Sequence, residues 1–372
     1  MKKILSGLLS LILLAIITGG IFVFIRYKKN PEQIVPYPYT FQSSYPEIPL
    51  EAPILITGDR MGVYFAKFSK NLANAISVNL ENAIKVQSIA QKGHGIHRTL
   101  HQLRSLKQWP QILIYQGGSE EFSEIKFNLS EISKINTNFS RYSDDRIETM
   151  LILYPWLSKI VYEPIEQMVF NQEVKPFEYE QKNYLRRLET ELLLYRQHLI
   201  QLVAMARDRN TLLILSTTPI NLDMAPKVIC EFATTTSIEA DILTLRDLIA
   251  AKNPKSAYAL VSKLSAQNPT NAEILFLHGQ VAKSLGKLSE AKSKFLESSA
   301  YDCLPWRVTE LQNSIIRKVA QDHQIPLFDF AGLLEQNYDN GVTFFDEHYP
   351  QNIYYEQAMT QLGLVIQKIL KL

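Results

Sequence analysis

The sequence is poor in cysteine and has almost no net charge, and each shortage excludes whole classes of protein. Only Cys230 and Cys303 occur among 372 residues, which rules out a disulfide-dense scaffold and a zinc site built from several thiolates. Lysine and arginine (39) nearly balance aspartate and glutamate (37), for a net charge of +2. Binding to nucleic-acid phosphates needs a positive excess, so we expect no nucleic-acid partner.

A long apolar run lies at the N-terminus. Residues 4–25 carry no charge, and a helix of this length crosses the roughly 30 Å apolar core of a bilayer. The run predicts a retained membrane anchor over 1–29, followed by a proline-rich linker over 30–52. Basic residues flank both ends of the run, so the charge pattern does not decide the orientation of the anchor.

Beyond the linker, short apolar runs alternate with helical patterns, which is typical of parallel βαβ units. The apolar runs predict strands at 53–57, 84–90, 111–115, 211–217 and 326–330. The patterns between and after them predict helices at 61–80, 96–107, 181–209, 306–323 and 351–370. The sequence therefore predicts an α/β fold with a parallel sheet, in which ligands bind at the carboxyl ends of the strands.

A helical segment interrupts these units. Small and large residues recur from Asn271 to Cys303 at the spacing of a 34-residue tetratricopeptide repeat, and a weaker copy precedes them. A free-standing solenoid normally needs at least three repeats. We therefore expect the insert, 231–303, to lean on an α/β core whose two parts are 53–230 and 304–372.

The two cysteines lie at the ends of this insert. An oxidised Cys230–Cys303 pair would clamp the base of the insert if the domain lies outside the cytoplasm. Two unpaired buried thiols are the alternative. Sequence spacing does not decide between them, because a disulfide requires a short distance between the two Cα atoms.

Four segments resemble the blocks of a known enzyme family. Three predicted strands run into Gly58–Arg60, Gly93–Gly95 and Gly117–Glu120, and 346–350 lies near the C-terminus. These segments resemble the four blocks of the SGNH/GDSL hydrolase family, including its tetratricopeptide-bearing subfamily, over about residues 50–372. The resemblance implies a flavodoxin-like three-layer parallel sheet, SGNH-hydrolase-like, with an inserted helical hairpin region.

The same resemblance implies a degenerate catalytic site. Arg60 stands where the family has its nucleophilic serine, and a guanidinium that stays protonated cannot attack. Tyr349 stands at the histidine position, with His348 one residue early. The degenerate site comprises Asp59, Arg60, Ser119, Asp346, His348 and Tyr349. The surrounding pocket, in which the family's second-block glycine offers an N–H to the oxyanion, comprises Gly58, Gly93, Gly95, Gly117, Gly118 and Glu120.

Two interpretations of Arg60 remain open at this point. In the first, Arg60 forms a structural ion pair with Glu120 and Asp346 that fills the vacated pocket, because buried charges are generally paired. Alternatively, its guanidinium holds an anionic ligand.

Three histidines raise the question of a metal. His94, His97 and His101 follow one another at i, i+3 and i+7, which can place three imidazoles on one helix face. A zinc site would need further converging ligands and partners behind them. We expect surface or groove-lining histidines, with no metal and no cofactor.

Two functional hypotheses follow. In the first, a membrane-anchored pseudoenzyme acts as a binding or assembly module at the cell envelope, and the helical insert contacts a protein partner. In the second, a rearranged site keeps acyl-ester hydrolase or O-acyltransferase activity on an acylated envelope glycan or lipid. Both hypotheses place a single-pass anchor in the inner membrane and the soluble domain in the periplasm or elsewhere outside the cytoplasm.

Overall fold

The computed structural model describes 2–29, 34–77, 84–174, 181–230, 238–304, 306–341 and 343–370. The chain divides into two units, the first comprising 1–42 and 126–171 and the second 43–125 and 172–372. The grouping of 126–171 with the N-terminal segment was not predicted, because no hydrophobic period in the sequence links them.

The secondary structure alternates strands and helices through the second unit. The helices are α1 (Lys2–Lys29), α2 (Arg60–Ala66), α3 (Ser69–Ser77), α4 (Ile96–Leu103), α5 (Ile132–Tyr142), α6 (Asp145–Leu153), α7 (Ser158–Val161), α8 (Gln181–Asp208), α9 (Glu239–Ala250), α10 (Pro254–Gln267), α11 (Ala272–Ser284), α12 (Leu288–Ala300), α13 (Glu310–Asp322), α14 (Phe330–Gln336) and α15 (Asn352–Leu370). The strands are β1 (Tyr39–Phe41), β2 (Ile54–Gly58), β3 (Val86–Ser88), β4 (Ile112–Gln116), β5 (Met168–Phe170), β6 (Leu212–Ser216) and β7 (Leu327–Phe328).

The first unit contains α1, a short parallel pair of strands and three further helices. Strand β1 pairs with β5, with Tyr39 opposite Met168. Helix α1 carries exposed apolar side chains between Leu11 and Ile25. Within the part of the chain that the structure describes, no helix combines the length and the apolar character that crossing a membrane requires. The predicted membrane-crossing helix is therefore not confirmed.

The second unit is built on a parallel sheet of five strands in the order β3-β2-β4-β6-β7. Counted along these five strands, the order is 2-1-3-4-5, which is the order of flavodoxin-like doubly wound sheets. Ile54 pairs with Ile112, and Ile112 with Leu212, so the three central strands begin level with one another. The prediction of an α/β fold with a parallel sheet is confirmed.

Helices cover both faces of this sheet. Successive strand side chains point to opposite faces, and two separate apolar clusters follow from that alternation. One cluster joins Ile54, Ile56 and Ile114 to helices α2, α3, α14 and α15. The other joins Leu55, Leu113 and others to helices α4, α8 and α13. Both faces are apolar, which explains why the strands appear in the sequence as uninterrupted hydrophobic runs.

Three predicted helices differ from the structure, and the one predicted at 96–107 ends at Leu103. The helix predicted at 61–80 is divided into α2 and α3, because Lys67 N–H and Phe68 N–H bond to carbonyls three residues back and end the first helix; residues 78–80 lie outside the described residues. The helix predicted at 306–323 begins at Glu310. Thr309 and Gln312 form a capping box there, which satisfies the first N–H groups of the helix.

The insert consists of α9 to α12, and residues 231–237 at its start lie outside the described residues. Phe295 packs so closely on Gly279 that a Cβ at Gly279 would lie 2.6 Å from the ring, which accounts for a small residue at that position of the repeat pattern. Phe295 and Phe276 of the insert share an apolar cluster with Ile220 and Val308 of the α/β core. The insert thus packs on the core of the same unit.

A disulfide joins the two ends of the insert. Cys230 and Cys303 are bonded, with their Cα atoms 5.3 Å apart, and the backbone N–H of Cys303 donates to Val228 O at 2.9 Å. Of the two alternatives left open by the sequence, the structure shows the bridge.

Removal of this bridge is expected to lower the free energy of unfolding of the second unit by about 4 kcal/mol, because the bond closes a long loop and restricts the unfolded chain. The two cysteines are separated by 73 positions in the sequence. Urea denaturation of the Cys230→Ser/Cys303→Ser variant measures the loss. A reductant should bring the native protein to the stability of this variant and leave the variant unchanged; a native protein that is insensitive to reductant would contradict the prediction.

Candidate functional site

The candidate site lies where the carboxyl ends of β2 and β4 meet. Gly58 ends β2 with φ +134°, and a Cβ there would lie 1.9 Å from the carbonyl oxygen of Gln116. Only glycine, which has no Cβ, can lie so close to the neighbouring strand at this position. This contact places the turn after β2 directly beside Gly117–Glu120, the turn after β4.

Asp59 fastens the two turns together. Its Oδ1 accepts from Met61 N–H (2.8 Å), which caps α2. Its Oδ2 accepts from Ser119 N–H (2.6 Å), Ser119 Oγ (2.8 Å) and Glu120 N–H (3.1 Å). Burial raises the pKa of Asp59, and the hydrogen bonds from Met61 and Ser119 oppose that rise. Both carboxylate oxygens are engaged in holding the backbone, so Asp59 and Ser119 bind each other rather than a histidine.

Glu120 accepts hydrogen bonds from two backbone N–H groups at the carboxyl edge of the sheet. Its Oε2 accepts from the backbone N–H of Arg60 (3.0 Å) and from that of Gly93 (2.6 Å). Burial, together with the negative charge of Asp59, raises the pKa of Glu120 to about 7. A carboxylate of this chain therefore occupies the N–H of Gly93, a second-block glycine whose N–H the resemblance offered to an oxyanion, together with that of Arg60.

Arg60 is held loosely beside Glu120. Its Nε lies 3.9 Å from Glu120 Oε1, beyond the range of a hydrogen bond. One terminal nitrogen, Nη2, donates to the carbonyl oxygen of Trp306 at 3.0 Å. The Nε–H is buried and has no hydrogen-bond acceptor among the described residues. Arg60 thus faces Glu120, as the ion-pair interpretation expected, but retains a donor for another group.

The C-terminal segment does not assemble an acid–base pair. Asp346 Oδ1 accepts from the backbone N–H groups of His348 (2.7 Å) and Tyr349 (2.6 Å), so this carboxylate shapes a turn instead of orienting an imidazole. The His348 ring packs edge-on against Trp306, with centroids 5.5 Å apart. Burial and the charge of Arg60 both lower the pKa of His348. The ion pair between Arg60 and Asp346 considered from the sequence is not formed.

Tyr349, which the sequence resemblance aligned with a histidine, belongs to an aromatic stack. Its ring lies on that of Tyr64 with a centroid separation of 4.5 Å, and Phe345 stacks beside it at 6.0 Å. Burial raises the pKa of Tyr349, so the phenol keeps its proton at neutral pH. Tyr349 therefore contributes packing at the position where the resemblance expects a general base.

Three of the glycines predicted for the pocket serve close packing. A Cβ at Gly117 would lie 2.7 Å from Tyr115 Oη, and one at Gly118 would lie 2.9 Å from Tyr195 Oη. Gly95 precedes α4, whose first N–H group, that of Ile96, donates to Glu121 Oε1 at 2.8 Å. None of the three lines the cleft beside Arg60.

That cleft is small and polar. Its volume of about 10 Å³ is roughly the room that one water molecule requires. The polar or charged residues around it are Arg60, Ser119, Asn221, Arg307, Glu347 and His348. The sequence analysis did not assign Arg307, which lies between the insert and α13, to the site.

Arg307 is the most deeply buried charge of the cleft. The residue is 6% exposed, and its terminal nitrogens donate to the carbonyl oxygens of Asn221 (2.8 Å) and Met224 (3.2 Å). Its Nε–H is buried with no hydrogen-bond acceptor among the described residues. Burial lowers the pKa of Arg307 to about 10, so the guanidinium remains charged at neutral pH.

The three histidines considered for a metal do not converge. His97 Nε2 lies 3.0 Å from Glu124 Oε2, while His101 Nε2 lies 2.8 Å from the carbonyl oxygen of Ser43. Burial lowers the pKa of His94 to about 4. Among the residues that the structure describes, no cluster of histidine, cysteine or carboxylate groups could hold a metal ion.

Glu124 forms a buried ion pair that the sequence analysis did not foresee. It receives two hydrogen bonds from Arg98, at 2.5 Å from Nε and at 2.6 Å from Nη2. The side chains of Arg98 and Glu124 are 1% and 5% exposed. This pair ties α4 to the segment that follows β4.

A serine–histidine–glutamate chain occurs in the insert, away from the sheet edge. Ser265 Oγ lies 2.9 Å from His278 Nδ1, and His278 Nε2 lies 2.9 Å from Glu290 Oε1. Ser265 is buried in α10, and its hydroxyl also donates to the carbonyl oxygen of Ser262. The three residues belong to α10, α11 and α12, so their hydrogen bonds clamp three successive helices.

No known protein-family model matches the chain, and no curated protein sequence is significantly similar to it.

Proposed function

We propose that the protein is a catalytically degenerate, SGNH-hydrolase-like binding or assembly module of the cell envelope. The strand order of the sheet and the position of the four segments at its carboxyl edge support the resemblance on which this rests. The observation that carries the loss of catalysis is the carboxylate of Glu120, bonded to the backbone N–H groups of Arg60 and Gly93.

Acyl transfer needs those donors for a charge that develops in the transition state. A carboxylate that already accepts from both N–H groups must leave before an oxyanion can bind. The nucleophile that acyl transfer needs is also missing, since Arg60 cannot attack and Ser119 Oγ bonds to Asp59. Because catalytic groups of this kind act as a unit, the loss of several leaves little activity.

The proposed location outside the cytoplasm is supported by the Cys230–Cys303 bond, because disulfides persist in oxidising compartments. Attachment to the inner membrane through α1 is proposed on the apolar side chains that α1 exposes. For the proposed protein partner, the helical insert is the contact surface.

An active acyl-ester hydrolase or O-acyltransferase acting on an envelope glycan or lipid is the second candidate. One observation favours it: Ser119 and His348 line the same cleft. Ser119 Oγ would have to leave Asp59 and come within hydrogen-bond reach of the imidazole before the histidine could take the serine proton.

An aryl-ester hydrolysis assay separates the two candidates. We expect the native protein to hydrolyse a short-chain aryl ester no faster than the buffer does, and Ser119→Ala and His348→Ala to leave that rate unchanged. Ser265→Ala serves as a matched serine control in the insert. Turnover above background that disappears in Ser119→Ala or His348→Ala, but persists in Ser265→Ala, would establish the enzyme and remove the first proposal.

A further inference from the structure

The cleft at the sheet edge has two cationic side chains with unused donors. Arg307 is held by two backbone carbonyls, and no carboxylate among the described residues forms an ion pair with it. Asp302 and Glu347 act on the Arg307 charge without forming an ion pair with it, and a buried charge that no ion pair compensates is costly. Since burial leaves this guanidinium protonated at neutral pH, its charge is available to an anion that enters the cleft.

Arg60 lies on the same cleft and adds a second donor. Its side chain is 20% exposed, and its buried Nε–H has no acceptor among the described residues. Glu120, the nearest carboxylate, places its better-positioned oxygen on the backbone N–H groups of Arg60 and Gly93 instead. Glu120 thus leaves the guanidinium of Arg60 only partly neutralised.

We propose that this cleft, between Arg60 and Arg307, binds the oxyanion group of a ligand, either a carboxylate or a phosphate. The inference rests on the binding role proposed above and names the chemistry of what is bound. Planar guanidinium groups match both oxyanions. The cleft has room for about one water molecule, so one oxygen of the anionic group enters it and the rest of the ligand stays outside.

Two other polar residues around the cleft have partners of their own. Glu347, which also lines it, is engaged by Lys227 Nζ at 2.7 Å. Asn221, whose carbonyl oxygen holds Arg307, donates its side-chain amide to the carbonyl oxygen of Asp346 at 2.9 Å. Glu347 therefore has a partner of its own, while the Nε–H groups of Arg60 and Arg307 have none among the described residues.

Titration calorimetry on the full chain tests the site, with acetate and inorganic phosphate as separate probes at constant ionic strength. We expect saturable binding of at least one probe, weakened about tenfold or more by Arg60→Gln and by Arg307→Gln, because each removes a charged donor. Arg246→Gln is the matched control, since Arg246 pairs with Glu273 on the surface of the insert. This control should bind as the native protein does.

Glu120→Gln is expected to raise the affinity for the anionic probe, which a purely structural role for the arginines would not do. The amide oxygen can still accept from the two backbone N–H groups, while the negative charge beside Arg60 disappears. We expect affinity for the same probe to rise several-fold at pH 8, where Glu120 is otherwise largely ionised. If Arg307→Gln does not fold, Arg60→Gln and Glu120→Gln decide the question.

Absence of saturable binding up to tens of millimolar, or binding that is unchanged in Arg60→Gln, would overturn the anion site. That failure is distinct from failure of the proposed function. Hydrolysis of an aryl ester that is lost in Ser119→Ala would end the degenerate-module proposal even if phosphate binds. An inactive protein that binds neither probe would end only the anion site.

Discussion

Replacement of Gly58 by alanine is expected to lower the free energy of unfolding of the second unit by more than about 4 kcal/mol, or to prevent folding. The added Cβ would lie 1.9 Å from Gln116 O and 2.6 Å from its carbonyl carbon. Both atoms belong to the backbone of β4, which is paired with β2 along its full length. They cannot move aside without breaking that pairing, and φ of +134° adds backbone strain.

Gly286→Ala is the matched control for this experiment. Gly286 also has a positive φ, of +73°, but no atom lies within 4 Å of the position of its Cβ. Only the backbone penalty of about 1–2 kcal/mol then remains. Urea denaturation followed by circular dichroism measures both variants. Equal losses in the two would show that the approach of Gly58 to β4 does not limit stability.

Replacement of Glu124 by glutamine is expected to cost about 3–5 kcal/mol of unfolding free energy. Glutamine keeps the shape of the side chain but removes the charge that offsets the buried guanidinium of Arg98, to which Glu124 is bonded at 2.5 and 2.6 Å. Glu273→Gln removes a comparable carboxylate from a surface pair with Arg246. That control should cost no more than about 1 kcal/mol.

The pH dependence of stability gives an independent check on Glu124. Hydrogen bonds from His97 and Arg98 outweigh burial and lower the pKa of Glu124 from 4.5 to about 2. A lowered folded-state pKa contributes stability that is complete above pH 4.5 and is lost as the pH falls through about 2. Acid titration of unfolding should show this loss in the native protein and not in Glu124→Gln. A variant with the same acid dependence as the native protein would contradict the assignment.

The sheet could be predicted from the sequence because its strands are short and apolar on both faces. The predicted strand 111–115 is offset by one residue from β4, and the predicted strand 211–217 contains β6. The edge strand β7 covers only Leu327 and Phe328 of the predicted 326–330, since an edge strand has one neighbour to define its length. The start of α13 could have been predicted correctly, because the Thr309–Gln312 capping box is visible in the sequence.

The site was harder to predict, because its decisive contacts use backbone atoms. Glu120 reaches the N–H groups of Arg60 and Gly93, which lie 60 and 27 positions away in the sequence. A backbone donor is present at almost every residue, so nothing in the sequence shows which ones a carboxylate will find. The role of Arg307 in the site was not predicted for a related reason, because its hydrogen-bond acceptors are two backbone carbonyl oxygens. The three-residue strands β1 and β5 were too short to give a pattern.

The 5.3 Å separation of the Cα atoms of Cys230 and Cys303 makes the helical insert exchangeable. Two chain ends this close can be joined by a short turn, or can carry a longer array of helices, without altering the spacing of β6 and β7. Selection can therefore lengthen, shorten or replace what is presented to a partner while the sheet beneath keeps its geometry. Any such replacement must still cover Ile220 and Val308, on which the present insert packs.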